Sequence, residues 1–366
     1  MKNGKLQIGI IGCGGIANQK HLPALSRQQG LCEVVAFCDL IKERAEKAAK
    51  EYGTADAKVY TDFKALLKDE MIDVVHVLTP NVMHAPITIA AFEAGKHVLC
   101  EKPIAHTYED AKKMLDAAQK SGKKFTIGYQ NRFRKDTQTL HKACEAGAFG
   151  DIYFAKAHAV RRRAFPTWGV FQDKSQQGGG PLIDIGTHAL DITLWMMDNY
   201  KPKSVTGSVF HKMADQYEAN LFGPWDTKTV QVEDSAFGFI KMENGATIFL
   251  EASWVLNTLE TREAATSLCG TKGGAEIRGG MGNPYELIMN TVKYGQLFEE
   301  HISSSGGVAY FDGAMDGEPG DIECRQWLEA VLHNGIPLVK PEEALVVTQI
   351  LEAIYKSCET GKTIEF

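Results

Sequence analysis

The chain opens on an unbroken apolar run, 6–11, followed by a glycine-rich turn and helical periodicity to about residue 25. Continuous apolar runs bounded by turn residues read as strands buried on both faces, and apolar recurrence at three and four residues reads as helix. The alternation continues: strand 33–38, helix 42–52, a short strand near 59–60, helix 62–68, strand 73–78, helix 86–94 and strand 97–100. Such a rhythm predicts an α/β unit with a doubly wound parallel sheet and right-handed crossovers.

Beyond Phe125 the rhythm changes. A strand over 125–129 and a helix over 137–146 lead into longer strands at 152–162, 204–210, 234–243 and 246–254, with a helix over 182–197 between the first two. Asn244-Gly245, between the last two strands, is a strong hairpin signal. Helices over 321–334 and 341–360 and a terminal strand over 363–366 close the chain. These elements predict a C-terminal α+β domain on a large, open, mainly antiparallel sheet. The boundary is expected just after Lys124, giving domains 1–124 and 125–366. An open sheet face needs cover, so a homo-oligomer (dimer, tetramer or higher) through that face is expected. The stretch 213–232 reads as a long loop, either a lid or a subunit arm.

Composition narrows the function. With 366 residues the chain exceeds what one core usually supports. A net charge of −6 and only one short basic run, Arg161-Arg162-Arg163, argue against nucleic acid as a partner. No apolar stretch reaches membrane-span length, and the N-terminus enters a strand rather than a signal peptide, so a cytoplasmic protein is expected. Eight scattered cysteines form no metal-binding spacing; they read as reduced thiols, Cys13 and Cys100 being the two beside motifs, and no metal is expected.

The chemistry begins at Gly12-Cys13-Gly14-Gly15-Ile16-Ala17, directly after the first strand. Gly12 permits a tight turn, Gly14 lets a pyrophosphate approach the backbone, Ile16 lies along the loop, and Ala17 packs the helix, as in dinucleotide-binding Rossmann units. The second strand ends in Asp39, where a carboxylate accepts ribose hydroxyls and repels the extra phosphate of NADP; NAD is the expected cofactor. Ligands of such sheets sit outside the carboxyl ends of strands, which places Thr79 and Asn81 along the cofactor. The strand 97–100 runs into Glu101-Lys102-Pro103.

With these residues the sequence resembles the glucose–fructose oxidoreductase, inositol 2-dehydrogenase and rhizopine-catabolism family, the Gfo/Idh/MocA family. The resemblance rests on G-C-G-G-I-A from Gly12, D-V-V-H-V-L-T-P-N-V-M-H ending at His84, A-G-K-H-V-L-C-E-K-P ending at Pro103, and G-G-G-P-L-I-D-I-G-T-H-A-L-D from Gly178 to Asp191. It implies a two-domain oxidoreductase moving a hydride between NAD and a secondary alcohol of a sugar, glycoside, polyol or inositol. Lys102 is then an electrophilic stabiliser of the developing alkoxide, with Glu101 able to orient it, and both Glu101 and Lys102 are expected to contact the cofactor. His188 is the proton acceptor, and either Asp184 or Asp191 orients it. A cis bond before Pro103 is also implied. By the same resemblance His84 lines the cofactor site, and Asn131 and Arg132 face substrate. Arg163 and Trp168 offer a charge and an aromatic face suited to a sugar ring. Two other outcomes belong to this fold: oxidation of an intact glycoside leading to glycosidic cleavage with NAD recycled, and a non-catalytic NAD- or sugar-sensing regulator.

Overall fold

A computed structural model describes residues 1–216, 218–302 and 317–366. In chain order its elements are β1 (Leu6–Ile11), a π-helical turn (Ala17–His21), α1 (Leu22–Ser26), β2 (Cys32–Cys38), α2 (Lys42–Tyr52), β3 (Lys58–Tyr60), α3 (Phe63–Leu67), β4 (Val74–Val77), α4 (His84–Glu93), β5 (His97–Glu101), α5 (Tyr108–Ser121), β6 (Phe125–Gly128) and α6 (Lys135–Glu145). Next come β7 (Ile152–Val160), α7 (Lys174–Gln177), a π-helical turn (Leu182–Gly186), α8 (Thr187–Met197), β8 (Pro202–Phe210), β9 (Ser235–Met242), β10 (Thr247–Ser253) and β11 (Arg262–Gly270). The last are β12 (Gly273–Gly280), β13 (Asn283–Lys293), β14 (Gln296–His301), α9 (Pro319–Leu332), α10 (Pro341–Thr360) and β15 (Ile364–Glu365).

The chain divides into two units. The first holds Met1–Phe133 and a returning segment that closes at Leu345. Its six strands pair in parallel in the order β3-β2-β1-β4-β5-β6. Strand residues alternate between the two faces. Ile8, Ile10, Val74 and Leu99 pack beneath α1 and α9 with Leu22, Leu25 and Trp327, whereas Val75, Val77, Val98 and Cys100 pack with Ala91, Phe92 and Met114 of α4 and α5. The first unit therefore extends past Lys124: Phe125–Gly128 completes its sheet beside β5, and α9 returns from far along the chain to cover one face.

The second unit holds Arg134 onward and regains Val346–Phe366. Its nine strands run β14-β13-β12-β11-β7-β10-β9-β8-β15, antiparallel except where β10 meets β7. Thr187 to Met196 of α8 are all buried, the helix lying against β7 and β11. Gly245 takes φ 90° in the expected hairpin between β9 and β10. No described helix is long and apolar enough to cross a membrane.

Candidate active site

The glycine loop is shaped to expose backbone. Gly12 has φ 97°, and a Cβ there would lie 2.5 Å from the Leu78 carbonyl oxygen, so only glycine brings β1 this close to the end of β4. Asn18 Nδ2 donates to the carbonyls of Cys13 and Gly14 at 2.9 and 2.7 Å, drawing them inward. Cβ atoms on Gly14 or Gly15 would meet nothing within 4 Å. A turn with its carbonyls withdrawn and open space over its glycines fits the pyrophosphate of a dinucleotide. Asp39 is tied to the same turn: its Oδ2 accepts Cys13 N at 2.9 Å and its Oδ1 accepts Ile41 N at 2.8 Å. The carboxylate is thus oriented by backbone before any ribose arrives. Leu40 and Ile41 beside it are exposed and uncharged, offering no cation to a 2′-phosphate. Ile16 is partly exposed at the loop, Asn81 is nearly buried, and the Thr79 hydroxyl is buried without a hydrogen-bond partner. The Cys13 thiol is pushed up to about 12 by burial and the Asp39 charge, and burial likewise raises Cys100, so neither is a reactive thiolate.

Lys102 follows the end of β5 with a cis peptide to Pro103. Its backbone N–H donates to Glu101 Oε2 at 3.1 Å. Glu101 itself turns inward, where Oε1 meets His21 Nε2 at 2.7 Å and Lys20 Nζ at 2.7 Å. Burial resists its charge, yet Lys20 and His21 hold the carboxyl well below the ordinary range.

In the second unit Asp184 lies in the π-helical turn and His188 at the start of α8. Trp254 Nε1 donates to Asp184 Oδ2 at 3.1 Å. The turn's entry is clamped by Glu233, whose Oε2 accepts Gly180 N at 2.8 Å and whose Oε1 accepts Leu182 N at 3.2 Å and Tyr355 Oη at 2.7 Å. Burial is the main force raising the Glu233 carboxyl, against these three donors. His188 is buried to 7% exposure and Asp191 to 0%, which leaves His188 the more accessible of the two helix residues.

Residues 6–129 match the family model described as an oxidoreductase family with an NAD-binding Rossmann fold, and residues 137–276 match the GFO/IDH/MocA C-terminal domain. D-glucoside 3-dehydrogenase of Escherichia coli K12 is 36% identical across 100% of this chain and 99% of that protein. The chain belongs to the Gfo/Idh/MocA family of oxidoreductases. Inositol 2-dehydrogenase of Salmonella typhimurium is 31% identical over 55% of this chain and 57% of that protein. A solved levoglucosan dehydrogenase, in complex with NADH and levoglucosan, shares the fold with a TM-score of 0.83 at 22% identity, covering 99% of each chain.

Within this Gfo/Idh/MocA chain several residues expected at the ligand make contacts inside the scaffold. The Glu101 carboxylate faces the interior, as described above. His84 is fully buried, Nδ1 set against the Pro103 carbonyl at 2.8 Å and Nε2 against that of Thr79 at 2.9 Å, so it joins the Lys102–Pro103 turn to the end of β4 rather than lining a site. Arg132 is fully buried and donates to Glu343 Oε2 at 2.5 Å, a structural ion pair with no exposed face for substrate. Arg163 donates to Gln216 O and Asn257 Oδ1, both at 3.1 Å, stapling the 213–232 stretch. Over its described part that stretch is tied to residues 163–167 through Leu221 N, the Asn220 side chain and Phe222 O. Trp168 is half-exposed, edge-on to Phe222 and Phe171. Asn131 is half-buried in a helical turn over Gln130–Phe133. Asn18, Lys20, Glu233, Trp254 and Tyr355 went unforeseen; only Asn18, four residues past Gly14, sits close enough in sequence to its target for a local signal.

Proposed function

We propose that this oxidoreductase removes a hydride from the 3-position of a glucoside, converting a ring secondary alcohol to a ketone with NAD as acceptor. The observation that carries this reading is the end-to-end kinship with a D-glucoside 3-dehydrogenase, spanning both the cofactor and the C-terminal unit. NAD, when bound, supplies the hydride-accepting nicotinamide. Lys102 donates a hydrogen bond to the reacting oxygen and stabilises its developing charge. His188 takes the hydroxyl proton as general base, and Asp184, held by Trp254, supports it or a neighbouring hydroxyl. Asn131 and Trp168 serve the sugar's hydroxyl edge and apolar face. Asp39, carrying negative charge beside the loop, favours NAD over NADP.

The test is NADH formation with methyl glucosides, free glucose, levoglucosan and myo-inositol, the ketone's ring position being read by NMR. The reading expects the glucosides to give the highest kcat/KM and Lys102→Met to abolish turnover while NAD still binds. Preference for myo-inositol would overturn it. Turnover without net NADH would indicate glycosidic cleavage with NAD recycled, and binding without turnover would indicate a sensor.

The same reading includes a homo-oligomer built on the open face of the nine-stranded sheet. That face carries a depression of about 720 Å³ lined by Lys156, His158, Phe237, Phe239, Phe249 and Glu251, among others, and Phe249 is 43% exposed on it. A reducing cytoplasm suits the eight free thiols.

A further inference from the structure

The first unit buries a charged cluster directly behind Lys102. Lys20, from the turn after the glycine loop, places its ammonium 2.7 Å from Glu101 Oε1, 2.8 Å from Glu323 Oε2 on α9 and 3.4 Å from Gln130 Oε1. An ammonium has three protons, and here it has three acceptors. Two glycines leave the room: a Cβ on Gly128 would lie 2.9 Å from Glu101 Oε1, and one on Gly320 would lie 2.9 Å from Lys20 Cγ. The cluster thus joins the cofactor loop, the strand that presents Lys102, the turn that carries Asn131, and a helix from the far end of the chain.

Stability does not account for it. Apolar residues of equal volume usually serve a core as well as or better than buried ion pairs. The backbone contact to Lys102 gives the cluster a task. We propose that Lys20 and Glu323 are positioning residues for Lys102, acting through Glu101: the shared ammonium holds the Glu101 carboxylate where its other oxygen takes the Lys102 backbone N–H. The inference rests on the role given above to Lys102.

The charges make this hold sensitive to pH. Burial opposes the Lys20 ammonium, but Glu101 and Glu323 outweigh burial and keep it a cation. Glu323 is pushed up to about 7 by burial and by the Glu101 charge, with Lys20 pulling the other way, and its Oε1 is buried without a hydrogen-bond partner. The remaining neighbours do not compete near neutrality. His21 is held down at about 4 by burial and Lys20, His76 of β4 is held well below its ordinary value by burial and His21, and Cys324 of α9 stays a thiol. Asp321 of α9 is paired with Arg27. Protonated, Glu323 leaves the ammonium to Glu101; ionised, it shares it, and the grip on Lys102 slackens.

Amide hydrogen exchange of the cofactor-free protein, read by mass spectrometry on the peptide containing Lys102 and corrected for intrinsic pH dependence, tests the hold without turnover. Wild-type protection is expected to fall several-fold, up to about ten-fold, as pH passes through about 7. Glu323→Gln, which cannot ionise, should keep protection level across that range, and should remove the matching inflection from kcat without moving NAD affinity more than about two-fold. A wild-type protection curve that is level through pH 7 overturns the proposal even if the variant does not fold, as do superimposable curves for wild type and Glu323→Gln. If exchange behaves as expected but no sugar reduces NAD, the functional reading fails while the hold on Lys102 stands.

Discussion

Trp254→Phe separates the support of Asp184 from the packing around it. Trp254 is fully buried, with Phe165 edge-on at 5.0 Å and Phe171 at 6.4 Å between ring centroids, and its indole N–H donates to Asp184 Oδ2 at 3.1 Å. Phenylalanine keeps an aromatic ring between these neighbours and deletes the donor. Loss of ring volume from a tight core is expected to cost about 1–3 kcal/mol of stability. A buried hydrogen bond whose removal leaves a carboxyl oxygen without its donor is worth about 1–3 kcal/mol, a factor of about 5–150 in kcat/KM if it is felt in the transition state. Urea unfolding measures the first effect and steady-state kinetics with a glucoside the second. Asp184→Ala provides the control: in that background Trp254→Phe should still lower stability but change kcat/KM by less than about two-fold, since residues acting through one contact do not add. An unchanged kcat/KM in the single variant, or the same loss in both backgrounds, would refute a positioning role for Trp254.

Asp39→Asn keeps an acceptor for a backbone N–H while removing the charge; the NAD-over-NADP preference measured by KM should fall by about ten-fold or more, and an unchanged ratio would exclude electrostatic discrimination by Asp39. Gly12→Ala forces a side chain into φ 97° and against Leu78 O, so thermal melting should drop by several degrees, reflecting about 2–4 kcal/mol of strain and overlap, with weakened NAD binding; wild-type behaviour in both would contradict the geometry. Glu323, raised to about 7, stabilises the fold fully below its unfolded value near 4.5 and loses that contribution as pH rises to about 7, whereas His21, lowered to about 4, contributes fully above 6.5 and loses it as pH falls. The two slopes offset each other between about pH 4.5 and 6.5, so Glu323→Gln should lose stability on acidification more steeply than wild type, by up to about 1.4 kcal/mol per pH unit; parallel urea-melt slopes would count against these charge states.

The parallel sheet was legible because its central strands are short, apolar and bounded by turn residues, and β1 and α2 fall where periodicity puts them. Helix α5 went unread although its signals are present: Thr107 caps it by accepting Asp110 N, and Gly122 ends it in the left-handed region. Strands β11 to β14 were missed for a different reason. Ala264 to Leu268 are small or weakly patterned residues buried on both faces of the sheet, while β13 is exposed over its first four residues, so neither carries a clean alternation. The π-helical turn at Leu182–Gly186 has no sequence signature beyond the glycines before it.

The candidate site was legible in position more than in direction. The motif ending in Lys102 marks where chemistry sits, but reading Glu101 as a cofactor contact ignored the pleat. His97, Leu99 and Glu101 alternate with Val98 and Cys100 along β5, and Leu99 packs into the core beneath α1 and α9. Glu101 shares the Leu99 face, so its carboxylate had to enter that core and required a cation there. Of the charged residues near the glycine loop, Lys20 meets the need by reaching the same Glu101 oxygen as the adjacent His21, and only tertiary structure supplies Glu323, 222 positions beyond Glu101. A strand's period of two thus tells which residues of a motif face the ligand and which face the support, and the support is what sequence proximity alone conceals.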